Sequence, residues 1–281
     1  LLTFLSTTLV GAEISGVTAE ELTNNPQLFW QGLPYSLGLI AILAAHEFAH
    51  FFFIRKYKID STLPYFIPFP FFLGTFGAFI QKRSPVPHRQ ALFDIAIAGP
   101  IAGLLVTLPL LIAGLSLSDT VAITTENGNN ILNFQALDPR FSFFLALISK
   151  LSLGQALEPN MAINLHPLAV AGYLGVIITA LNLMPVGQLD GGHIAHAMFG
   201  QGKAVIIGQV TRFLAIALAL VQPYLWVWVI FLWLIPLVDQ PTLNDVTDLS
   251  DWRDFCGLLC FALLIIILLP LPHTVAQWLN I

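Results

Sequence analysis

The feature that most constrains the fold of this sequence is a series of apolar stretches. As helices, most of them would be about long enough to cross a lipid bilayer. They lie at residues 33–54, 91–115, 162–184, 204–221, 224–238 and 255–271. A helix needs about 20 apolar residues to cross a bilayer. Only 10% of the 281 residues are charged, whereas soluble domains carry about 25%. We therefore predict an all-α polytopic membrane protein with about six to seven transmembrane helices, whose main surroundings are the lipid bilayer.

Charge and cysteine content exclude other classes of protein. Eleven lysines and arginines against sixteen aspartates and glutamates give a net charge of −5. Such a chain has no basic field with which to bind phosphates, so we expect no nucleic-acid partner. Two cysteines are too few for a disulfide framework.

Residues 64–81 interrupt the helical pattern. They are rich in proline, glycine and phenylalanine, and the loose alternation over residues 75–80 favours a strand or hairpin. Basic residues flank the segment on both sides, with Arg55 and Lys56 before it and Lys82 and Arg83 after it. Because short inner loops are rich in lysine and arginine, both ends are expected on the same side of the membrane. The segment is thus predicted to be a re-entrant, β-hairpin-like element.

The first clear span contains three polar residues, His46, Glu47 and His50. Ionisable groups inside an apolar helix are costly and usually functional. The two histidines are four positions apart, so both imidazoles project from one helical face and can bind the same metal ion. Glu47 lies beside them, where it can take a proton from a water molecule at the metal. The alternative is a buried histidine pair next to a protonated glutamate.

Two histidines do not complete a catalytic zinc site, which usually has three protein ligands. The candidates for the third ligand are Asp94, His166, Asp190, His193 and His196. Asp190 precedes two glycines, which allow close backbone approach at the start of a helix. Its alternative role is that of a simple helix-capping aspartate.

The remaining candidates have less specific interpretations. Asp94 is expected to pair with Arg89 or to lie next to the metal ligands. His193 and His196 are expected to contact those ligands or to lie on a helix surface. The acidic run at residues 245–254 is expected to be a solvated loop.

The motifs together resemble the site-2 protease family of intramembrane metalloproteases, of the M50 type. The resemblance rests on His46-Glu47-x-x-His50 in an early span and Asn182-x-x-Pro185-x-x-x-Leu189-Asp190-Gly191-Gly192 in a later one. Residues 74–80 look like the membrane-embedded hairpin of this family, and Gly99-x-x-x-Gly103 is similar to its small-residue motif. The resemblance covers residues 33–198 and is nearest to the members of cyanobacteria and chloroplasts that lack a PDZ domain.

This resemblance implies a Zn²⁺ cofactor and a role for five residues. His46, His50 and Asp190 match the zinc ligands of the family, and Glu47 matches its catalytic acid and base. Asn182 matches a position that implies a hydrogen bond to the substrate backbone or to the developing oxyanion. The alternative for Asn182 is that it stabilises a helix kink before the next proline.

The resemblance also implies an organisation and a biological setting. Residues 1–281 are expected to form a single integral-membrane protease domain, with a core at 33–198 and C-terminal spans at 204–271. The loop at 116–159 is too short for a PDZ domain. The implied substrate is a transmembrane protein, such as a membrane-tethered regulator of the anti-sigma-factor type, and no oligomeric state is implied.

Two other functions remain open from the sequence. The first is a catalytically inactive scaffold or chaperone of the same family, and the second is a metal transporter. For the protease, the expected location is a bacterial inner membrane or a plastid membrane. The lysine and arginine pattern places its active site towards the cytosolic or stromal side.

Overall fold

The structure is a computed structural model that describes residues 1–71, 73–122, 133–154, 157–158, 161–221 and 225–279. The helices are α1 (Leu2–Ile14), α2 (Ala19–Asn24), α3 (Leu33–Lys56), α4 (Arg89–Ser116), α5 (Phe143–Leu153), α6 (Pro167–Leu183), α7 (Asp190–Phe199), α8 (Gln201–Val221), α9 (Trp226–Leu234), α10 (Asp251–Leu268) and α11 (His273–Leu279). The strands are β1 (Tyr65–Pro68), β2 (Thr75–Phe79), β3 (Asp119–Ala122) and β4 (Met161–Asn164). Short 3-10 helices occupy Pro26–Gly32 and Pro139–Phe141.

The protein is mostly helical, as expected for a membrane protein of this composition. In the described part of the chain, three helical segments are long and apolar enough to cross a membrane: Pro26–Lys56, Arg89–Ser116 and Gln201–Leu220. Shorter apolar helices include Leu2–Ile14 and Pro167–Leu183. The helical membrane class is thereby supported, whereas the larger number of six to seven spans stays a prediction.

The core consists of α3, α4 and α6, which pack against one another through small residues. A Cβ atom added at Gly114 of α4 would lie 2.2 Å from the backbone nitrogen of Ala169 in α6. One added at Gly172 of α6 would lie 2.7 Å from the Cα atom of Leu111 in α4. Small residues let helix backbones approach closely, which is how helices associate in lipid. This close packing fixes the relative positions of the helices that carry the site.

The predicted hairpin is present. Strands β1 and β2 pair antiparallel, with Tyr65 opposite Phe79 and Phe66 opposite Ala78. Gly77 in β2 has a φ of +102°, a backbone conformation that residues other than glycine rarely adopt. The β-hairpin part of the prediction for residues 64–81 is confirmed, and its re-entrant depth in the membrane stays a prediction.

Hydroxyl side chains of α1 and α3 hold this hairpin. The Ser6 hydroxyl donates to the carbonyl oxygen of Gly74 at 2.6 Å. The Tyr35 hydroxyl donates to the carbonyl oxygen of Leu73 at 2.9 Å. Because Tyr35 belongs to α3, the hairpin turn is bonded directly to the helix that carries His46 and His50.

The described residues between α4 and α6 form two strands and a helix. Strands β3 and β4 pair antiparallel in register from Asp119 opposite Asn164 to Ala122 opposite Met161. Helix α5 follows an Asp138–Arg140 ion pair of 2.7 Å. The expectation that this loop holds no PDZ domain falls partly on residues 123–132, which lie outside the described residues, and it stays a prediction.

Candidate metal centre

Helix α3 brings the two histidines of the motif together. The ring nitrogens His46 Nε2 and His50 Nε2 lie 3.0 Å apart. His46 is 6% exposed, so this pair lies inside the protein rather than on the lipid-facing surface. The spacing of four residues places both rings on one side of the helix, as the sequence predicted.

Helix α7 supplies a carboxylate to the same point. Asp190 Oδ2 lies 3.3 Å from His46 Nε2 and 3.4 Å from His50 Nε2. Among the residues that the structure describes, these three form the one group whose potential ligand atoms all lie within 4.8 Å of one another. Two imidazoles and one carboxylate form a set of ligands that zinc accepts in catalytic sites, where three protein ligands leave a fourth position open.

The Asp190 oxygen that faces the histidines supports a cation at this point. Asp190 Oδ2 is buried and has no hydrogen-bond partner among the described residues, although two ring nitrogens lie close to it. A buried carboxylate oxygen without a donor is costly, and such groups are normally paired or bound to a metal. The residues present therefore fit a divalent cation.

The orientation of His50 is set by the backbone of α4. His50 Nδ1 lies 2.7 Å from the carbonyl oxygen of Ile95. A carbonyl oxygen only accepts, so Nδ1 carries the proton and donates it. In the neutral ring, Nε2 then presents a lone pair towards His46 and Asp190, which is the tautomer that a metal ligand needs.

Glycines in α4 make room for the histidine rings. A Cβ atom added at Gly99 would lie 2.1 Å from His50 Nε2 and 2.8 Å from His46 Nε2. One added at Gly103 would lie 3.3 Å from His46 Nδ1. The small-residue motif thus has a local physical reason, since any side chain at Gly99 would occupy the space of the ligands.

The position of Asp190 depends on the turn between α6 and α7. Gly187 in this turn has a φ of +49°. A Cβ atom added at Gly191 would lie 2.0 Å from the carbonyl oxygen of Leu183. The end of α6 and the start of α7 are therefore in direct backbone contact, which places the first residue of α7 against α3.

The two other predicted site residues lie close to this cluster. Glu47 is half-buried on α3 and near enough to His50 and Asp190 for their charges to interact. Asn182, in the last turn of α6, places its Nδ2 atom 3.4 Å from His46 Nε2. The structure thus brings together all five residues of the predicted site.

The expected pairing of Asp94 with Arg89 is wrong. Asp94 accepts hydrogen bonds from Arg253 Nε at 2.7 Å and from the Tyr57 hydroxyl at 2.5 Å. Arg89 instead donates to the carbonyl oxygen of Ala197 at 2.8 Å. This pairing has no signal in the sequence, because Arg253 lies 159 positions after Asp94.

His166, His193 and His196 are not part of the three-ligand group. His166 precedes α6, and its Nδ1 atom accepts from the backbone nitrogen of Leu168 at 3.2 Å, which is a helix-capping role. His193 and His196 both contact Asp239. Both therefore bond to a carboxylate outside the three-ligand group.

The acidic run at residues 245–254 was expected to be a solvated loop, but it is not uniformly solvated. Asp245 of this run lies 2.9 Å from His196 Nε2. Asp239, which precedes the run, is only 6% exposed. Asp248, by contrast, has a side chain that is 97% exposed. Sequence analysis missed Asp239 because a lone aspartate after an apolar helix looks like any loop residue.

Comparison with known proteins agrees with this geometry. The model of peptidase family M50 matches residues 34–221. This range contains the five predicted site residues, which are His46, Glu47, His50, Asn182 and Asp190. The chain belongs to peptidase family M50. The predicted family membership is confirmed.

Several relatives of this member of the M50 family are named as probable zinc metalloproteases. This chain is 34% identical over 241 residues to the probable zinc metalloprotease EGY1, chloroplastic, of Arabidopsis thaliana. That match covers 85% of this chain and 43% of the relative. Its identity to EGY1 of Oryza sativa subsp. japonica is 32%, over 89% of this chain and 42% of the relative. Its identity to EGY2 of Arabidopsis thaliana is 30%, over 89% and 44%.

These matches support the enzyme class and a zinc cofactor, and they agree with the expected resemblance to chloroplast members. The chain spans less than half the length of these relatives. No solved structure matches the chain significantly.

Proposed function

We propose that this member of the M50 family is an intramembrane zinc protease of the site-2 type. It would hydrolyse a peptide bond within a transmembrane segment of a membrane-anchored protein. The observation that carries the proposal is the convergence of His46, His50 and Asp190 on one point, with a buried carboxylate oxygen left without a donor. The helix that supplies both histidines belongs to a segment long and apolar enough to cross a membrane.

In this proposal, His46, His50 and Asp190 hold the zinc ion. Bound zinc supplies a Lewis acid that acidifies water and polarises a carbonyl group. The Ile95 carbonyl keeps the proton of His50 on Nδ1, so that Nε2 stays free for the metal. Gly99 keeps the space beside both ring nitrogens clear.

Glu47 is the proposed acid and base. It lies one residue after His46, beside the ligands and outside the three-ligand group. It takes a proton from the attacking water and delivers it to the amide nitrogen of the leaving group. Asn182 is proposed to donate from its amide to the substrate carbonyl as negative charge develops, since its Nδ2 atom lies on the ligand side of His46.

The hairpin is proposed to hold the substrate backbone. The peptide bonds of a helix are hidden by internal hydrogen bonds, so a substrate helix must unwind before attack. An added strand finds backbone partners at a free sheet edge. In the described part of the chain the sheet containing β1 and β2 has two strands, and its turn is bonded to α3 through Tyr35.

Replacing Gly77 with proline tests this role. Proline fixes φ near −65°, whereas Gly77 has a φ of +102°, so the substitution disrupts β2. We expect loss of helical-substrate cleavage with zinc still bound. Gly16→Pro is a matched control, because Gly16 also has a positive φ, of +89°, but lies in the turn after α1, outside the hairpin. Unchanged cleavage by Gly77→Pro would contradict the proposed role.

The proposed setting follows from the same reasoning. Residues 1–281 would act as one protease domain, with its core at 33–198 and its C-terminal helices within 204–271. The substrate would be a membrane protein such as a tethered regulator. The membrane would be a bacterial inner membrane or a plastid membrane, with the site towards the cytosol or stroma, where residues 55–83 concentrate basic charge.

The central experiment uses the protein reconstituted with a single-span substrate. The unsubstituted protein, Glu47→Gln and the exposed-residue control Glu20→Gln are compared for cleavage and for zinc content. We expect zinc in all three and cleavage by all except Glu47→Gln. Cleavage by Glu47→Gln at the normal rate would refute the role of Glu47, and absence of zinc from the unsubstituted protein would refute the metal site.

The same reconstituted protein, assayed also for zinc uptake into sealed vesicles, separates the two alternative functions. A scaffold or chaperone would contain zinc but would cleave no substrate. A transporter would move zinc into sealed vesicles and would need polar groups at several depths. Within the described residues, the three-ligand geometry occurs at one place only, which favours a fixed catalytic ion over a transport pathway.

A further inference from the structure

A second group of histidines and carboxylates lies further along the same short helix. We call His46, His50 and Asp190 the first cluster, and His193, His196, Asp239 and Asp245 the second cluster. Both clusters involve α7, which begins at Asp190 and ends at Phe199. The proposed function does not use the second cluster.

Asp239 joins the two histidines through one oxygen atom. Its Oδ2 accepts from His193 Nδ1 at 2.7 Å and from His196 Nδ1 at 2.9 Å. Its Oδ1 accepts from the backbone nitrogen of Gln240 at 2.7 Å. Both carboxylate oxygens are therefore used. The backbone of the next residue, Gln240, fixes Asp239 while Asp239 bonds to two histidines of α7.

His196 is held from its other side by a second carboxylate. His196 Nε2 lies 2.9 Å from Asp245 Oδ1, and His196 is fully buried. Because carboxylate oxygens only accept, both ring nitrogens of His196 donate. Hydrogen bonds between a charged ring and carboxylates are about twice as strong as neutral ones.

The loop that carries these carboxylates is itself attached to the core. Residues 235–245 form this loop, which we call the anchoring loop. The backbone nitrogens of Leu243 and Asn244 donate to the carbonyl oxygens of Val86 and Pro87, each at 3.0 Å. At the other end, a Cβ atom added at Gly187 would lie 1.8 Å from the carbonyl oxygen of Pro236. The loop therefore contacts the segment before α4 and the turn before Asp190.

Helix α7 needs such external support. It has 10 residues, and isolated helices shorter than about 12–15 residues are marginal in water. Asp190 is its first residue, and the cap residue before it, Leu189, makes no side-chain capping bond. The position of Asp190 is thus determined by the contacts of the helix with its surroundings.

We propose that Asp239 is a positioning residue for the metal site, which fixes α7 through His193 and His196 and so holds Asp190 against His46 and His50. The inference rests on the proposed metal site of the first cluster. It links the segment after α9 to the ligand geometry, so the C-terminal part of the chain contributes to metal binding without supplying a ligand.

The test uses Co²⁺ as a probe metal, because its visible absorption reports the geometry of the ligands. Asp239→Ala, Asp239→Asn and the unsubstituted full chain are loaded with Co²⁺, and their spectra and metal affinities are measured by competition with a chelator. Loss of a group that orients a ligand typically weakens metal binding by about 10–100-fold. We expect a loss of about tenfold and an altered spectrum for Asp239→Ala, and a smaller change for Asp239→Asn, which keeps one acceptor oxygen.

A matched control separates positioning from general stability. Asp138 is also a buried carboxylate in a charged pair, with Arg140, but it lies in the segment between α4 and α6. Asp138→Asn is expected to lower the melting temperature and to leave the Co²⁺ spectrum and affinity unchanged. If Asp239→Ala behaves in the same way as Asp138→Asn, the positioning role is refuted.

The outcomes also separate this inference from the proposed function. Failure of the unsubstituted protein to bind Co²⁺ would overturn the first cluster as a metal site, and the inference with it. Normal metal binding without any proteolysis would overturn the protease proposal and leave the inference standing. If Asp239→Ala does not fold, Asp239→Asn decides the question, because an unchanged spectrum in this folded variant would refute the inference.

Discussion

Helix α7 takes part in two clusters of histidines and carboxylates that differ in how their polar atoms are satisfied. In the first cluster, two ring nitrogens and Asp190 Oδ2 converge, and the oxygen has no hydrogen-bond partner among the described residues. In the second cluster, Asp239 Oδ2 accepts from two ring nitrogens at 2.7 and 2.9 Å. The residue types are the same, yet one arrangement leaves a position for a cation and the other is already complete.

This difference shows that composition alone does not define a metal site. A buried carboxylate is stabilised either by donors or by a cation. In the second cluster, hydrogen-bond donors stabilise the carboxylates, since His196 donates from both ring nitrogens. In the first cluster, the tautomer of His50 leaves its Nε2 atom free, and Gly99 keeps the neighbouring space open.

The strongest test of the contrast compares Asp190→Asn with Asp239→Asn. Asp190→Asn removes the charged ligand, so we expect zinc binding to weaken by more than the roughly 10–100-fold that follows loss of an orienting group, and activity to disappear. Asp239→Asn should retain one zinc ion at saturating metal. Zinc content and chelator competition measure both effects. Equal zinc loss in the two variants would remove the distinction between the clusters.

A second test concerns the space beside the ring nitrogens. Gly99→Ala places a Cβ atom 2.1 Å from His50 Nε2, whereas Gly103→Ala places one 3.3 Å from His46 Nδ1. We expect Gly99→Ala to abolish zinc binding, because a real Cβ contact cannot be so short, and Gly103→Ala to weaken it by less than about tenfold. Zinc titration of the two purified variants measures this. Full zinc binding by Gly99→Ala would contradict the described packing.

The smallest expected effect is a pH dependence of stability that arises in the second cluster. Burial lowers the pKa of His196, but its hydrogen bonds to Asp239 and Asp245 outweigh this and raise the pKa above its usual value. Burial raises the pKa of Asp239, but the bonds from His193 and His196 outweigh this and hold it well below its usual range. Lys82 adds a further favourable charge near Asp239.

The sign of the effect follows from these directions. The stabilisation from His196 is complete below its unfolded pKa of about 6.5 and is lost as pH rises through the raised folded value. That from Asp239 is complete above its unfolded pKa of about 3.9 and is lost as pH falls. We therefore compare the melting temperature of the protein with that of His196→Gln. We expect this difference to fall by about 2–4 °C as the pH rises from about 6.5 through the raised pKa of His196. A difference that does not change with pH would show that His196 is neutral in the fold.

Sequence reasoning recovered the local part of this protein. The spacing of His46 and His50 requires that both rings share one helical face, and the glycines and prolines of residues 64–81 favoured a hairpin over a helix. Apolar length identified the three long helices. In each case the deciding interaction lies within a few residues along the chain, so the pattern contains the information.

Contacts between distant residues were not predictable in this way. Asp94 was expected to pair with nearby Arg89 or to lie next to the metal ligands, and it bonds to Arg253, 159 positions away. Asp239 was not among the predicted site residues, and it is bonded to His193 and His196 of α7, which lie 46 and 43 positions earlier. Neither partner has a sequence signal, because long-range packing brings them together.

The sequence by itself indicated the helical membrane class, the family and the candidate metal ligands, since these follow from hydropathy and from short motifs whose residues lie close together along the chain. Spacing left several candidates for the third ligand, and the family resemblance pointed to Asp190. The tertiary structure shows how Asp190 reaches the histidines, because α6 and α7 meet at Leu183 and Gly191 and so turn Asp190 towards α3. It also decided that Asp239 completes a hydrogen-bonded cluster while Asp190 keeps an oxygen free, because satisfaction of a buried polar atom depends on every neighbour that the fold places around it.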